Sequence, residues 1–484
     1  MLSVLLLIPL FTALLCYSLR NRKAIEYANF LGAALLAGAS IPLIVASLTS
    51  PRFSLDGMLY MDALSSYMMA IVVLISLVTA IYSVDYMGQE FEEGIIKLKD
   101  LRQYYALMHL FIFTMLLTIV SNNLAVFWIA IEGTTLVSAL LVGLYKNTQS
   151  IEAAWKYIIL CTVGLTFALL GLFITYYAST SVVGGSGTLN WTELRDIAYK
   201  LNPSTMKLAF IFILVGYGAK AGLAPVHNWL PDAHSQAPTP ISALLSGILL
   251  KCSFIGIIRF IIIVNRSTGD SYANGLMLFF GLLSMGIATA FILLQNNYKR
   301  LLAYHSIEHI GIIATGIGIG GFWGIYGSLL HILNHAVVKT LLFFTTGRVR
   351  LRYHSTKIEK VKGVMTRMPV SGTIMLLAAL AIAGTPPFNI FLSEFIILKA
   401  AADFGKWTTL ALFLIFATII FGGVLHHFGS MAFGKSERGE NEKERKPVSV
   451  VLIGMAAVML ICGLYIPPFL GNMLANSVRI ILGD

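Results

Sequence analysis

The chain has 484 residues, of which 57% are hydrophobic and only 12% charged. Soluble domains carry roughly twice that charged fraction, so the composition excludes a soluble enzyme and points to a polytopic membrane protein with no separate soluble domain. A formal net charge of +11 would suit a nucleic-acid partner, but in a membrane chain the placement of Lys and Arg among the loops decides their meaning, and no nucleic-acid partner is expected.

Apolar runs near the ~20 residues that cross a bilayer recur along the whole chain. They predict about fourteen helical spans, roughly 1–19, 27–49, 60–83, 104–120, 122–145, 153–177, 206–224, 239–264, 273–295, 301–319, 322–346, 371–399, 407–432 and 448–470. A lipid-facing barrel would instead show short alternating segments. The first run, MLSVLLLIPLFTALLCYSL, lacks a basic leader and an A-x-A-like cleavage site and reads as a retained helix. The expected architecture is a single all-α membrane domain. Residues 1–103 hold three spans, 104–265 and 273–432 hold two five-helix units, and 433–484 hold a loop and a final span.

The fifth span, SNNLAVFWIAIEGTTLVSALLVGLY, carries Glu132 in an otherwise apolar setting. The seventh, FIFILVGYGAKAGLAPVHNWLPDAH, sets Gly216, Gly218, Gly222 and Pro225 around Lys220. The eighth carries Lys251, in SALLSGILLKCSFIGIIRF, and the tenth opens with His305, Glu308 and His309, in KRLLAYHSIEHIG. The eleventh, HILNHAVVKTLLFF, carries His331, His335 and Lys339. The twelfth, IMLLAALAIAGTPPFNIFLSEFIILKA, has Gly384, Pro386 and Pro387 before Glu394. Pro removes an intrahelical hydrogen bond, and irregular backbone at membrane depth persists only where protein or water satisfies it. Breaks five spans apart predict interrupted helices seven and twelve within two inverted repeats, spans 4–8 and 9–13, of the kind that flanks an ion path in transporters.

Lys and Arg sort by loop. Those after odd-numbered spans, including Arg20, Lys97, Lys146, Lys299 and the stretch GRVRLRYHSTKIEKVKGVMTR, hold about 21; those after even-numbered spans hold about eight. The positive-inside bias places the odd loops in the cytoplasm and both termini outside. The basic stretch then reads either as a linker facing anionic lipid or a partner subunit, or as an ordinary positive-inside loop. KSERGENEKERKP reads as a solvated loop. Lys156 and Arg259, near helix ends, read as snorkelling side chains, and Lys299 and Arg300 as the cytoplasmic edge of the tenth span.

A charge at the bilayer centre costs at least about 2.5–3.5 kcal/mol, so such groups persist where they pair or pass protons. Acids and bases spread over five helices favour a relay over structural pairing. His331, His335 and Lys339, spaced i, i+4, i+8, stack on one helix face, and histidine titrates near neutral pH. Lys220 is the candidate partner of Glu132: an ion pair at ~4 Å and an effective dielectric of ~20 is worth about 4 kcal/mol, so opening and closing it would gate a proton on Lys220. No Cys or carboxylate shares the His331–His335 face, so no metal site is expected there. Cys16, Cys161, Cys252 and Cys462 lie in apolar segments without C-x-x-C spacing, which excludes an iron–sulfur or disulfide framework. With no nucleotide fingerprint or P-loop, no cofactor and no catalytic residue is expected in this chain.

The Glu132 segment, GYGAKAGLAPVHNWLPDAHSQAPTPISALL, KRLLAYHSIEHIG, HILNHAVVKTLLFF and GTPPFNIFLSEF resemble the antiporter-like membrane subunits shared by respiratory complex I, multi-subunit Na⁺/H⁺ antiporters and group 4 membrane-bound hydrogenases. The likeness covers about residues 60–430. SVDYM, DLRQYYALMHLFIFTML, EAAWKYIILCTVG, LLAYHSIEH and PPFNIFLSEF resemble the branch of hydrogenase-4 (formate hydrogenlyase-like) component F. The resemblance implies a fourteen-helix core with two inverted repeats. It implies that Glu132 and Lys220 are a gating pair, Lys251 the next relay lysine, and His331, His335 and Lys339 parts of a central hydrated axis ending at Glu394. His305, Glu308, His309, His227, Asp232 and His234 are further relay candidates. The ending soon after span fourteen argues against the distal complex I subunit, which carries a long lateral helix. The implied function is proton or sodium translocation in a hydrogenase- or formate hydrogenlyase-type complex of a prokaryotic plasma membrane. The alternative is a subunit of a complex I-like quinone oxidoreductase or of a redox-free Na⁺/H⁺ antiporter, and a third reading is a scaffold with inert charges. Nickel–iron and iron–sulfur centres are expected in partner subunits, alongside other membrane subunits, a peripheral redox arm and membrane lipids.

Overall fold

A computed structural model of the chain describes residues 2–435 and 446–483. The described chain is all-α and 83% helical, apart from one short hairpin of β1 (Arg52–Ser54) and β2 (Leu59–Met61). The loop KSERGENEKERKP falls almost entirely outside the described residues.

The N-terminal helices are α1 (Leu2–Ser18), α2 (Arg22–Ser47) and α3 (Ala63–Glu92). Then come α4 (Leu98–Val120), α5 (Leu124–Val142), α6 (Thr148–Val183), a short α7 (Trp191–Ile197), α8 (Pro203–Ala221) and α9 (Trp229–Gln236). One continuous rod follows, built from α10 (Thr239–Leu244), a π-helical turn at Leu245–Leu249 and α11 (Leu250–Thr268). Next are α12 (Asp270–Ile292), α13 (Tyr298–Ile319), α14 (Gly321–Tyr353), a single turn α15 (Val364–Arg367), α16 (Pro369–Ile382), α17 (Asn389–Asp403) and α18 (Trp407–Phe433). The chain closes with α19 (Lys446–Leu464) and α20 (Pro468–Leu482).

Asx side chains start many of these helices by accepting hydrogen bonds from the first free amides. Asp62 caps α3, Asn123 α5, Asn147 α6, Asn202 α8 and Asn297 α13. Each such cap is worth about 1 kcal/mol, and it fixes where a helix can enter an apolar phase. Among the described residues ten helices are long and apolar enough to cross a membrane, or eleven if α19 and α20, bent by 69°, count as one broken span. That is fewer than the fourteen expected from sequence. The shortfall lies in α1, α16 and α17, each under 18 residues, and in α13, whose 22 residues include Lys299, Arg300 and Glu308. The hairpin, α7 and α20 were not foreseen, and α6 and α14 run well past their expected ends.

The apolar stretches of the rod Thr239–Thr268 and of α14 are fully buried and form the centre, whereas α18 is largely exposed around the outside. Loops after the first, third, fifth, ninth and eleventh predicted spans meet at one end. There Arg22 pairs with Glu92 (3.1 Å), Lys146 with Asp100 (2.5 Å), Arg348 with Asp85 (2.7 Å) and Arg350 with Glu90 (2.9 Å). At the opposite end Asn122 donates to the Gly57 carbonyl (2.8 Å), and Arg266 to those of Arg195 (3.1 Å) and Gly483 (3.2 Å). The basic loops therefore share one end, as the charge sorting required.

One expectation is corrected. Arg259 does not snorkel: it is 1% exposed and donates to the carbonyls of Ser121 and Ile119 and to Ser65 Oγ, beneath the Trp191 ring. Carbonyls at the end of α4 have no intrahelical partner, and the guanidinium supplies one. Lys299, the second residue of α13, is buried at that helix end and donates at 2.6 Å to the Ala237 carbonyl. Lys156 does lie half-exposed, paired with Glu152.

Candidate functional site

Two helix breaks frame the buried charges. The first separates α8 from α9, where Gly222 takes a left-handed φ of 85° and Ala224–Pro225 is cis. The second separates α16 from α17, with Gly384 at φ 72° and Pro386–Pro387 cis. The left-handed φ favours glycine at 384, and a Cβ there would lie 2.3 Å from Glu394 Oε2 and push that carboxylate aside. The carboxylate thus packs against bare backbone in the break.

Lys220 sits in the last turn of α8, where the helix dipole favours a cation, and is fully buried. Its ammonium donates to Thr135 Oγ1 at 2.8 Å and Tyr157 OH at 2.5 Å. It also lies 4.5 Å from the Tyr157 ring centroid and 5.9 Å from that of Trp229. The Tyr157 hydroxyl continues to Ser138 Oγ at 2.8 Å. Glu132, one turn before Thr135 on α5, accepts instead from Thr162 Oγ1 of α6 at 2.7 Å. Its Oε2 is buried with no protein partner. The expected direct ion pair is therefore absent. Glu132 stays within Coulombic reach of Lys220, but Thr135 and Tyr157 occupy two of the ammonium's three donors.

Lys251 follows the π-helical turn, and its Nζ donates at 2.5 Å to the Ser246 carbonyl inside that turn. Such turns often mark functional sites, because they displace carbonyls from the regular ladder. The same Nζ shares a hydrogen bond of 2.6 Å with His335 Nδ1 of α14. His335 packs against His309 of α13, ring centroids 4.8 Å apart. His309 Nδ1 and His331 Nε2 are 2.8 Å apart, and His331 Nδ1 is 3.0 Å from Ser393 Oγ on α17. Donor atoms of His309, His331 and Glu394 all lie within 4.8 Å of one another. Lys251, His335, His309, His331 and Glu394 thus form one contiguous buried file across four helices.

Other candidates flank this file. His305 Nδ1 meets Glu308 Oε2 at 2.8 Å, one turn from His309. Lys339 is buried and donates at 2.5 Å to the Leu302 carbonyl. His234 is buried with both ring nitrogens unpartnered and stacks on Phe343, and His227 Nδ1 is likewise unpartnered. Asp232 is not brought to the file: it pairs with Arg300 and lies 3.6 Å from Lys156. Sequence reasoning missed Tyr157, Thr135, Ser246 and Ser393, because hydroxyls and carbonyls are too common in membrane helices to signal a role. It also set metal aside on the His331–His335 face alone, whereas the fold supplies Glu394 and His309 from other helices. The four cysteines are free thiols.

The sequence model described as "NADH:quinone oxidoreductase/Mrp antiporter, TM" matches residues 121–420, and that of "NADH-Ubiquinone oxidoreductase (complex I), chain 5 N-terminus" matches 48–95. A hydrogenase-4 component F homolog of Methylacidiphilum infernorum is 38% identical over 399 residues, 81% of this chain and 82% of that protein. Hydrogenase-4 component B of Escherichia coli is 31% identical over 72% of this chain, which spans 52% of that longer protein. Among solved structures, a subunit of the archaeal membrane-bound sulfane sulfur reductase superposes with a TM-score of 0.88 at 25% identity, covering 99% of this chain and 97% of its own. A chain of the Mrp complex from Dietzia has the same fold, with a TM-score of 0.87 at 19% identity over 100% of this chain and 97% of its own.

Proposed function

We propose that this chain, which belongs to the NADH:quinone oxidoreductase/Mrp antiporter family, moves protons through its central file of buried bases and acids within a membrane-bound hydrogenase- or formate hydrogenlyase-type complex. It is an antiporter-like, multi-span membrane subunit. The observation that carries the reading is the close succession from Lys251 to Glu394: hydrogen bonds join Lys251 to His335 and His309 to His331, the His335 and His309 rings pack at 4.8 Å, and Glu394 lies within 4.8 Å of His309 and His331. Five ionisable groups buried together are costly unless they hydrogen-bond or exchange protons.

Imidazole suits this file because it accepts a proton on one nitrogen while releasing one from the other. A proton taken from Lys251 by His335 Nδ1 leaves through Nε2, which faces the next rings and has no fixed protein partner. It then passes across the 2.8 Å contact from His309 to His331 and on to Glu394. Lys220 holds a proton among Thr135, Tyr157 and Trp229. Glu132 steadies that charge through space, and a small approach of its free Oε2 converts influence into contact. Lys220 and Lys251 share no direct hydrogen bond, so the gate lies between them. His305, Glu308, Lys339, His234 and His227 are side branches that feed or drain the file.

The same reading extends to architecture. α4–α6, α8/α9 and α10–α11 form one five-helix unit; α12–α14, α16/α17 and α18 form its inverted copy, each with its fourth member broken. With α1–α3 and α19 they make fourteen crossings, with the basic end in the cytoplasm of a prokaryotic cell and both termini outside. Redox chemistry, and with it nickel–iron and iron–sulfur centres, belongs to partner subunits in a peripheral arm. The fold likeness to the Mrp complex supports a second reading as a redox-free Na⁺/H⁺ antiporter, and a complex I-like assembly would also fit. The test is the complex purified through this chain. Nickel and iron in the preparation, with proton uptake into vesicles during hydrogen-linked turnover, support the proposal. A metal-free complex exchanging Na⁺ for H⁺ replaces it with the second reading.

A further inference from the structure

We propose that His309, His331 and Glu394 form a binding site for one divalent transition-metal ion of the zinc class, and that an ion seated there arrests the proton file. The arrest rests on the relay reading above; the binding does not.

Three helices bring the ligands together: α13 supplies His309, α14 His331 and α17 Glu394, with donor atoms within 4.8 Å of one another and all three side chains buried. Two imidazoles and a carboxylate with an open fourth position are a ligand set zinc accepts. Bonds of about 2.0–2.1 Å in a tetrahedron place donors about 3.3–3.5 Å apart, so side-chain shifts of about an ångström complete the site. The surroundings already orient the ligands. Ser393 Oγ lies 3.0 Å from His331 Nδ1 and receives the Asn334 amide at 3.2 Å, turning His331 Nε2 inward. Outer partners of this kind fix the tautomer and ring plane of metal-bound histidines. The bare backbone at Gly384 seats the Glu394 carboxylate.

A second, independent observation points to a ligand. His309 Nε2 and His335 Nε2 are buried in this cluster without a protein partner. Buried polar atoms are rarely left so, and a metal with its remaining water ligand would occupy that polar space. A second grouping, His305, Glu308 and His309, shares His309. Its His305 and Glu308 already satisfy one another at 2.8 Å, so the three-helix set is the better ligand.

The chemistry predicts a proton balance. His309 Nδ1 and His331 Nε2, 2.8 Å apart, share one proton between two lone pairs. A metal takes one lone pair from each neutral imidazole, and the shared proton moves to its own ring's other nitrogen. A proton leaves to solvent only where Glu394 is a carboxylic acid or a ring is an imidazolium, so affinity falls as pH falls. With both nitrogens and the carboxylate held by the ion, the file loses its continuity between His335 and Glu394.

The experiment uses the purified full chain in lipid nanodiscs with Co²⁺ as a spectroscopic probe. One Co²⁺ per chain is expected, with the visible absorption of a low-coordinate nitrogen–oxygen site, displaced by Zn²⁺ and bound more weakly as pH falls. Glu394→Gln and His309→Gln should each weaken binding by at least about tenfold, as loss of metal-site groups does. Glu394→Gln keeps the side chain's shape, so with an unchanged melting profile it decides the question even where His309→Gln does not fold. His426→Gln/His427→Gln, which removes the neighbouring histidine pair on α18, should bind as the parent does. Absence of Co²⁺, or a site that survives Glu394→Gln, overturns the proposal. Stoichiometric binding with unimpeded proton pumping keeps the metal site but overturns the arrest, and with it the assignment of this file as the proton route.

Discussion

The two charged centres of the molecule solve the same problem in different ways. Around Lys220, an acid and a base sit on neighbouring helices without touching. Hydroxyls and aromatic faces solvate the lysine, while a threonine on α6 holds the glutamate. Around His309 the rings meet directly, His309 and His331 sharing a hydrogen bond of 2.8 Å, and the donor atoms of both rings and the Glu394 carboxylate lie within 4.8 Å of one another. The first is an open contact held a side-chain movement away from closure. The second is a closed conductor. A relay needs both: a file made only of closed contacts would leak, and one made only of open contacts would not conduct. In the proposed relay, the switch belongs to the α5–α6–α8 region and the wire to α13–α14–α17.

This contrast can be broken at several points, taken here from the largest effect to the smallest. Lys251→Met removes the file's first member while keeping its stem. Proton pumping in reconstituted vesicles should fall about 10²-fold, the lower end of what a positioned proton donor contributes, with redox turnover of partner subunits persisting at a slower rate. Pumping within twofold of the parent would remove Lys251 from the route. Glu132→Gln keeps shape and its Thr162 contact but deletes the charge that steadies Lys220. Assembly should survive, since Thr162 can still bond the amide, and pumping should drop about tenfold, equivalent to ~1.4 kcal/mol, well below the value of a closed pair. Full pumping by this variant would make the carboxylate a structural partner only.

Tyr157→Phe separates the two ways that residue serves Lys220, because the ring stays and the hydroxyl goes. A hydrogen bond to a charged group is worth about 1.5–3 kcal/mol, partly recovered by water, so a several-fold loss of pumping with an unchanged melting temperature is expected. A loss as large as that of Lys251→Met would mean that Tyr157 itself carries the proton, and the open centre would then be a second wire. Ser393→Ala frees His331 Nδ1 and should slow pumping only two- to threefold, since a neutral hydrogen bond is worth about 0.5–1.5 kcal/mol. A greater loss would show that the closed file depends on the orientation of a single ring.

Much of this was legible along the chain. Hydropathy fixes spans because the bilayer tolerates no unpaired backbone. Gly222–Pro225 and Gly384–Pro387 mark breaks because neither residue type sustains a helix. Glu132, Lys220, Lys251, His331, His335 and Glu394 stand out because a charge among apolar residues is too expensive to be accidental. The loops sort by charge for the same reason, and the basic ones do share one end of the structure. Each of these signals is local: it is read within one helix or one loop.

Tertiary structure decided the partnerships. Glu132 bonds Thr162 and Lys220 bonds Tyr157, although each sequence-level rule favours the ion pair, because helix α6 inserts its hydroxyls at that depth. His309, on a different helix from His331 and His335, becomes the hinge of the file. Glu394 reaches the histidines only because the α16–α17 break exposes a glycine backbone against which it can lie. Arg259, which reads as a helix-end cation, is drawn inward by the open carbonyls at the end of α4. Periodicity states which residues share a face of one helix. Which faces meet, and so which charges touch, depends on side-chain packing between helices far apart in the chain.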